Sequence, residues 1–534
     1  MTDVPFFNNS DPQAGPSVPL DTGETNLQLG YLNRHRFTIC RPIQMTTTAP
    51  PSLTGGRRSS SDEPYAYRRI ADEVSARIAD GTLRPGDRLP SVRRTSAQWG
   101  VSIPTVLQAY RLLEAQRVVA ARPKSGFFVL ARGTPHRPAE PRAARGASVA
   151  ASVTTGGLIV DFLEAVADPR AVPLGTALPD PTLLPTARLA RVLGSVVRRD
   201  QVRSALISTP SGAEELRGEI ARRALATRAP VSRDDIIVTN GCAEAIALGL
   251  RALTKPGDAV IVESPAYFGT LQAIDALGLR ALEVATDPRE GIRLDALEHA
   301  LRSGALALVL TPNVHNPLGC VMPDERKREL AKLLDRFGIP AIEDDTYAEL
   351  AFSADRPASL RAFVRTTPVL SCGSFSKTLA PAYRVGWMIP GRYREEIMRL
   401  KAATTVATAL PPQLAIAEFL RGGGYDHHLR QLTSTLHANV QRVASEVAIR
   451  FPAGTRISSP AGGFLLWVEL PESVDALELY RRCMVREVSL APGPVFSATG
   501  GNRNFIRLNG GLLWSAEIER AMDVIGGEAG RMSS

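Results

Sequence analysis

The stretch Thr367–Pro381, TPVLSCGSFSKTLAP, puts a short strand-like run, TPVL, ahead of small and hydroxyl residues and a single lysine, Lys377. Such runs suit a buried strand, and the Gly, Ser and Pro that follow mark a turn. A lysine in that turn is either a solvated surface residue or a nucleophile presented at a strand end. Four other stretches bear on the choice. IIVTNGCAEAIALGL (236–250) runs strand, then Gly241-Cys242-Ala243, then helix, which aims backbone N–H groups and a helix dipole at an anion. IVESPAYFGT (261–270) sets the ring of Tyr267 just beyond the next strand, as a stacking surface or as core. LTPNVHNPLG (310–319) ends a strand with Asn316 in a Pro/Gly turn, and IPAIEDDTYAEL (339–350) ends another with Asp344, Asp345 and Tyr347. Ligands of open α/β sheets collect at such strand ends.

The chain has 534 residues, more than one hydrophobic core supports, which predicts two or more domains. Its 44% hydrophobic and 22% charged residues are those of a soluble globular protein. No apolar run approaches the ~20 residues needed to cross a bilayer, so no membrane partner is expected. The opening residues, MTDVPFFNNSDPQAGPSVPLD, lack the basic-then-apolar order of a secretory signal. Five cysteines, Cys40, Cys242, Cys320, Cys372 and Cys483, stand far apart without CxxC spacing, which predicts reduced thiols in a cytoplasmic protein. His427 and His428 have no metal-ligand spacing and read as surface residues; no metal is expected.

The net charge of +9 is concentrated near the front. Residues 65–130 carry 11 Lys/Arg against 5 Asp/Glu, and 131–155 carry 4 against 1, while the rest is close to neutral. A short basic module beside a neutral domain fits a nucleic-acid contact surface, or simply a soluble basic module. Residues 1–63, rich in Pro, Ser, Thr, Gly and Asn, are expected to be a disordered tail, within which Met45 is an alternative start. The Pro-, Ala-, Arg- and Gly-rich stretch 131–157 is expected to be a flexible linker between the module (64–130) and a large domain (158–530). In that domain strands alternate with amphipathic helices, the pattern of a mainly parallel sheet covered on both faces.

In the module, YAYRRIADEVSARIADG has helical spacing and closes at Gly81. A second helix from about Ser91, a turn at Gly100-Val101 and a third helix capped by Ser102, with Pro104 in its first turn, come next. VVAARPKSGFFVL reads as two short strands, which completes a winged helix-turn-helix. GTLRPGDRLPSVR (81–93), VSIPTV (101–106) and KSGFFV (124–129) together resemble the GntR-type DNA-binding domain. The resemblance implies a double-stranded DNA partner, contacted by Arg93, by Ser102 and Thr105 of the recognition helix, and by Lys124 and Gly126 of the wing. One departure is Ile103, where that family commonly has arginine.

The large domain, taken in order through GAEELRGEIA, PGDAVIVESPAY, NPLG, EDDTY, SFSKTLAPAYRVGW, AGGFLLWVELP, LAPGPVFS and FIRLNGG, resembles the fold-type I aminotransferases that use pyridoxal 5′-phosphate. The resemblance implies a large α/β/α part with a mainly parallel sheet and a small C-terminal α+β part. Lysine is the side chain that forms a reversible imine with an aldehyde, and a carboxylate keeps a pyridine nitrogen protonated. By resemblance Lys377 is therefore the catalytic, cofactor-bonding residue, and Asp344 pairs with the pyridine nitrogen. Asn316 and Tyr347 bind the ring hydroxyl, and Tyr267 stacks on the ring. Ser374, Ser376 and Arg384, with the amides of Gly241, Cys242 and Ala243, hold the phosphate. Arg507 clamps the carboxylate of an amino acid. Bland readings stand beside these: Asp345 as a helix cap, Ser376 as a hydroxyl bound to backbone, Cys242 as merely small. At Ile207-Ser208-Thr209-Pro210-Ser211-Gly212 the family usually begins with tyrosine, which reaches the phosphate of a neighbouring subunit.

The two halves joined by a linker resemble the MocR-type transcriptional regulators of bacteria. That implies a homodimer whose large domain senses pyridoxal phosphate, an amino acid or an amine through an aldimine and alters DNA binding. The alternative is a working aminotransferase of the aromatic or aminoadipate type with an auxiliary DNA module.

Overall fold

Apolar residues three and four apart make the helices of the front module, α1 (Ala66–Ala79), α2 (Val92–Trp99) and α3 (Ile103–Ala115). The Ser91 hydroxyl accepts from Arg94 N to start α2, and Gly100, at φ 63°, ends it in the left-handed region that a side chain disfavours. Strands β1 (Val119–Arg122) and β2 (Gly126–Val129) pair antiparallel, with Val119 opposite Val129. Ile70, Val74, Leu89, Val106, Tyr110 and Leu113 are buried between helices and ribbon; each such side chain removed from water contributes about 1.5–3 kcal/mol. The computed structural model describes residues 66–79, 82–84, 86–115, 118–122, 125–129, 138–144, 146–147 and 149–533. The expected tail, Gly81 and Lys124 lie outside the described residues.

The large domain is built on a nine-stranded sheet. Its strands are β3 (Ala151–Ser152), β4 (Ile237–Thr239), β5 (Ala259–Ser264), β6 (Arg280–Asp287), β7 (Gly291–Ile292), β8 (Ala307–Leu310), β9 (Ala341–Asp344), β10 (Val369–Ser374) and β11 (Gly386–Ile389). The order is β3-β6-β5-β8-β9-β10-β11-β4, with β7 on β6. From β6 to β10 every pairing is parallel; β11 runs antiparallel to both β10 and β4. β4 consequently points the same way as β10, and the C-terminal ends of β4, β5, β8, β9 and β10 share one edge. A second, antiparallel sheet of order β12-β13-β15-β14 comprises β12 (Arg456–Ile457), β13 (Leu465–Glu469), β14 (Ala491–Pro492) and β15 (Phe505–Asn509). The near-continuous apolar runs of β5 and β8 follow from burial on both faces of a parallel sheet.

From about residue 138 onward, the described residues of the stretch 131–157 are not the flexible linker their composition predicts. Ile457 N donates to Ala139 O, Arg142 N to Glu469 Oε2, Ala147 N to Glu283 O and Thr154 N to Ala498 O. β3 extends the sheet along β6, and the next helix already begins at Gly156. Edge pairing uses backbone groups that every residue carries, so a Pro/Ala/Arg/Gly composition does not reveal it. Among the described residues no helix is long and apolar enough to cross a membrane.

Candidate functional site

The shared strand edge gathers side chains from the ends of β4, β9 and β10. β10 ends at Ser374, and Lys377 follows in a turn in which Ser376 N donates to Ser374 Oγ at 2.9 Å. Across β11, Gly386 lies opposite both Ser374 and Thr239, which brings Arg384 against the turn after β4. There Gly241 opens a helix at φ 77°, and a Cβ on it would come within 2.6 Å of the Arg384 guanidinium. Arg384 Nη1 also donates to Ser376 Oγ at 3.3 Å. Backbone amides at a helix start, two hydroxyls and a guanidinium thus converge as they would on a phosphate-like anion.

Cys372 of β10 stands beside Asp344 of β9 in register. Asp344 is buried; its Oδ1 accepts from Thr346 N at 3.0 Å and from Cys242 Sγ at 3.3 Å, so Cys242 is a donor as well as a small residue. Tyr267 starts the helix after β5. Burial, with the Asp344 carboxylate nearby, pushes its phenol up to about 12. Burial drives the Tyr347 phenol up further, and its Oη has no partner among the described residues. Burial, then the positive charges of Arg507 and Arg384, pull the Lys377 amine down to about 8. Its Nζ donates to Ala177 O at 2.7 Å and lies 5.6 Å from the centre of the Tyr347 ring.

Arg507 comes from the small sheet, on β15, and is almost wholly buried. Its Nη1 donates to Asn316 Oδ1 at 3.1 Å and its Nη2 to Gly175 O at 2.8 Å; Nε has no partner among the described residues. Burial lowers this guanidinium to about 10. The residue before Asn316, the buried His315, has its Nε2 3.3 Å from Glu263 Oε2 and accepts from Leu318 N through Nδ1 at 3.3 Å.

Two bland expectations need correction. Asp345 is no helix cap: its Oδ2 pairs with Arg356 Nη2 at 3.0 Å, and its Oδ1 accepts from Asn313 Nδ2 at 2.9 Å, with burial raising its carboxyl to about 7. His428 is no surface residue: half-buried, it meets Thr378 O through Nε2 at 2.7 Å, whereas His427 is exposed. Sequence reasoning also passed over Asn509, whose Nδ2 donates to Thr176 Oγ1 and Leu178 O, both at 2.9 Å. Its signal was its place two residues after Arg507 on one strand, hence on the same face. Ala177 had no signal, since a carbonyl acceptor carries no residue identity.

The expected DNA-contacting residues form a separate group on the front module. Arg93 and Ser102 are exposed, in the first turn of α2 and just before α3, and Thr105 is half-buried in α3. Gly126, at φ 99°, opens β2, where a side chain would meet Arg88 Nε at 3.3 Å.

Comparison with known proteins matches residues 180–525 to the family "Aminotransferase class I and II" and residues 66–129 to "Bacterial regulatory proteins, gntR family". The uncharacterised HTH-type transcriptional regulators YdcR and YjiR of Escherichia coli K12 are 40% and 39% identical, each over 86% of this chain and 98% of the relative. The crystal structure of LysN, the α-aminoadipate aminotransferase of Thermus thermophilus, superposes with a TM-score of 0.64 at 27% identity, covering 70% of this chain and 94% of that one. The aminotransferase class I and II family uses pyridoxal phosphate, and the residues present fit that group. An anion cradle lies at Gly241, a buried carboxylate at Asp344, an orphaned phenol at Tyr347 and a depressed amine at Lys377. Winged helix and aminotransferase fold in one chain, matched nearly end to end by such regulators, place this protein in the MocR-type, GntR-superfamily transcriptional regulators.

Proposed function

We propose that the protein binds DNA through its winged helix and pyridoxal phosphate through its large domain, and that occupancy of the second site governs the first. The observation that carries this is Lys377: a buried amine depressed to about 8, at a strand end shared with Asp344, in the same chain as a basic winged helix. In the bound form Lys377 would hold the aldehyde carbon, Asp344 the pyridine nitrogen, Tyr267 the ring face, and Asn316 and Tyr347 the ring oxygen. Gly241, Cys242, Ala243, Ser374, Ser376 and Arg384 would hold the phosphate. The cofactor supplies an electron-accepting ring. Lys377 meets it with a neutral amine in an appreciable fraction of molecules near pH 8, where an exposed lysine has almost none.

Arg507 would bind the carboxylate of an amino acid effector, being buried with one nitrogen unpartnered. A homodimer is supported by Val202, Leu206 and Ile207, 77%, 61% and 81% exposed, an apolar cluster that a second subunit would cover. A DNA partner and the four described cysteines, all buried and unpaired, fit a cytoplasmic protein. The DNA-binding module would take in 64–130 and the large domain 158–530, together with a lead segment from about residue 138 that pairs with it through main-chain groups. Retained transaminase activity is a second reading, favoured by the joined Asn316 and Arg507. A gel shift on the DNA upstream of this protein's own coding region, with and without pyridoxal phosphate, tests the first reading. A cofactor-dependent shift supports it, whereas rapid transamination without any shift favours the second.

A further inference from the structure

The residues of α3 buried in the front module's own core are Val106, Ala109, Tyr110 and Leu113. At 100° per residue, Gln108 and Arg111 stand on the opposite face, the one a recognition helix turns into the major groove. Gln108 is exposed, and the space in front of it is a cleft rather than an open surface. With Thr105 it lines a cleft of about 980 Å³ whose other wall is the long helix Gly424–Arg450, through Arg430, Thr433, Ser434 and His437. The cleft is held by a specific contact: Arg68 Nη2 of α1 lies 3.1 Å from His437 Nδ1, and the His437 ring stacks on Phe352 at 4.4 Å and 26°. A guanidinium only donates, so Nδ1 accepts and the imidazole is neutral, in keeping with burial and Arg68 holding it down to about 4. The large-domain wall mixes Arg222 and Arg430 with Glu219 and Asp426, which is no field for a phosphate backbone. The same helix carries Tyr425 and His428, which bind Thr378 next to Lys377.

We propose that this face of the large domain is a docking seat for the winged helix of the same chain, and that the seat and DNA compete for α3. The inference rests on the DNA-binding reading above. When Arg68 is on His437, Thr105 and Gln108 of α3 face the large domain across the cleft, which leaves no room for a duplex; DNA is bound by the fraction of molecules in which the module has left the seat.

The test uses the full chain and two seat variants on the large domain, outside the DNA-binding module: His437→Ala, which removes the latch, and Ser434→Trp, which fills the cleft from an exposed position and leaves the core intact. Binding to a labelled duplex is expected to tighten by about three- to tenfold in both, because the competent fraction rises. Gln108→Cys, in a Cys40→Ser background, supplies a readout without DNA: maleimide is expected to label it faster by a similar factor in either seat variant. Intact DNA binding with unchanged labelling and unchanged or weaker affinity overturns the seat alone. Faster labelling with no DNA binding by any form overturns the competition together with the DNA-binding reading. Labelling that depends on protein concentration replaces the chain's own module with that of a second copy and overturns the intramolecular seat.

Discussion

The amine of Lys377 and the carbonyl of Ala177 are 2.7 Å apart, so the lysine is tied to a backbone strap that other site residues also hold. Arg507 donates to Gly175 O and Asn509 to Leu178 O. Three donors from the strand-end turn and from β15 therefore bind three carbonyls within four residues. A ligand that claims Lys377 or Arg507 has to release one of these carbonyls, which links ligand chemistry to the position of a segment. The Gly175 carbonyl, whose bond to Arg507 is buried, costs about 1–3 kcal/mol if left alone, whereas the less buried Ala177 carbonyl can turn to water.

Replacing Lys377 changes both reactivity and stability. Lys377→Met is expected to abolish the adduct that borohydride fixes between protein and pyridoxal phosphate, as read by mass spectrometry. It should also stabilise the cofactor-free protein. The folded-state amine is depressed to about 8, so at lower pH burying its charge opposes folding. That handicap is complete below about pH 8, shrinks as pH rises because the unfolded chain still binds the proton, and is gone above the ordinary lysine value near 10.5. Urea melts at pH 7 and pH 10 should show the variant ahead by about 1–3 kcal/mol at the lower pH and by much less at the higher.

Gly241→Ala probes the anion cradle. The residue sits at φ 77°, where a side chain costs about 1–2 kcal/mol, and its Cβ would press on the Arg384 guanidinium. Loss of that charge-assisted contact should weaken pyridoxal phosphate binding by about ten- to a hundredfold in an absorbance titration. Unchanged affinity would mean that Arg384 has no part in holding the phosphate.

The edge on which the site stands was legible because β4, β5, β8 and β9 are apolar runs that stop at Gly, Pro or Asp. Lys377, Asp344 and Tyr347 could be read for the same reason: each lies within a few residues of a strand end. Contacts made by backbone carbonyls, such as Ala177 with Lys377, were invisible, and so was the docking of 138–155, which runs largely through main-chain groups. Asp345 was misread because its partner, Arg356, is 11 positions away across a loop whose path no local pattern specifies. His428 was misread because the carbonyl it meets belongs to Thr378, 50 residues earlier.

Arg507→Gln separates two classes of effector. The glutamine keeps an amide for Asn316 and loses the buried positive charge. Amino acids with a free α-carboxylate should lose about a hundredfold or more in affinity, as expected for a charge-assisted bidentate contact, while the corresponding amines lose little. Calorimetry with a matched amino acid and amine pair on the cofactor-loaded protein gives the comparison.

Arg93→Ala addresses the exposed first turn of α2. A phosphate contact there predicts weaker binding to every duplex by a similar factor and a salt dependence of log K whose slope falls by about one. Fluorescence anisotropy at several salt concentrations on two unrelated duplexes measures both. A change confined to one duplex would assign Arg93 to base reading.

Ile207→Tyr tests the dimer through the cofactor. Ile207 is 81% exposed in the single chain and occupies the position from which aminotransferase-like proteins send a tyrosine to the phosphate of the neighbouring subunit. If two chains meet at Val202, Leu206 and Ile207, the new phenol reaches the partner's anion cradle and adds one charge-assisted hydrogen bond of about 1.5–3 kcal/mol. Pyridoxal phosphate affinity should then rise by at least about tenfold, and only at concentrations where sedimentation shows a dimer. Ile207→Asp at the same exposed position should shift sedimentation toward the monomer, because a charge buried without a partner opposes association. A dimer that persists in the aspartate variant, with no gain in cofactor affinity for the tyrosine variant, would move the subunit contact to another face.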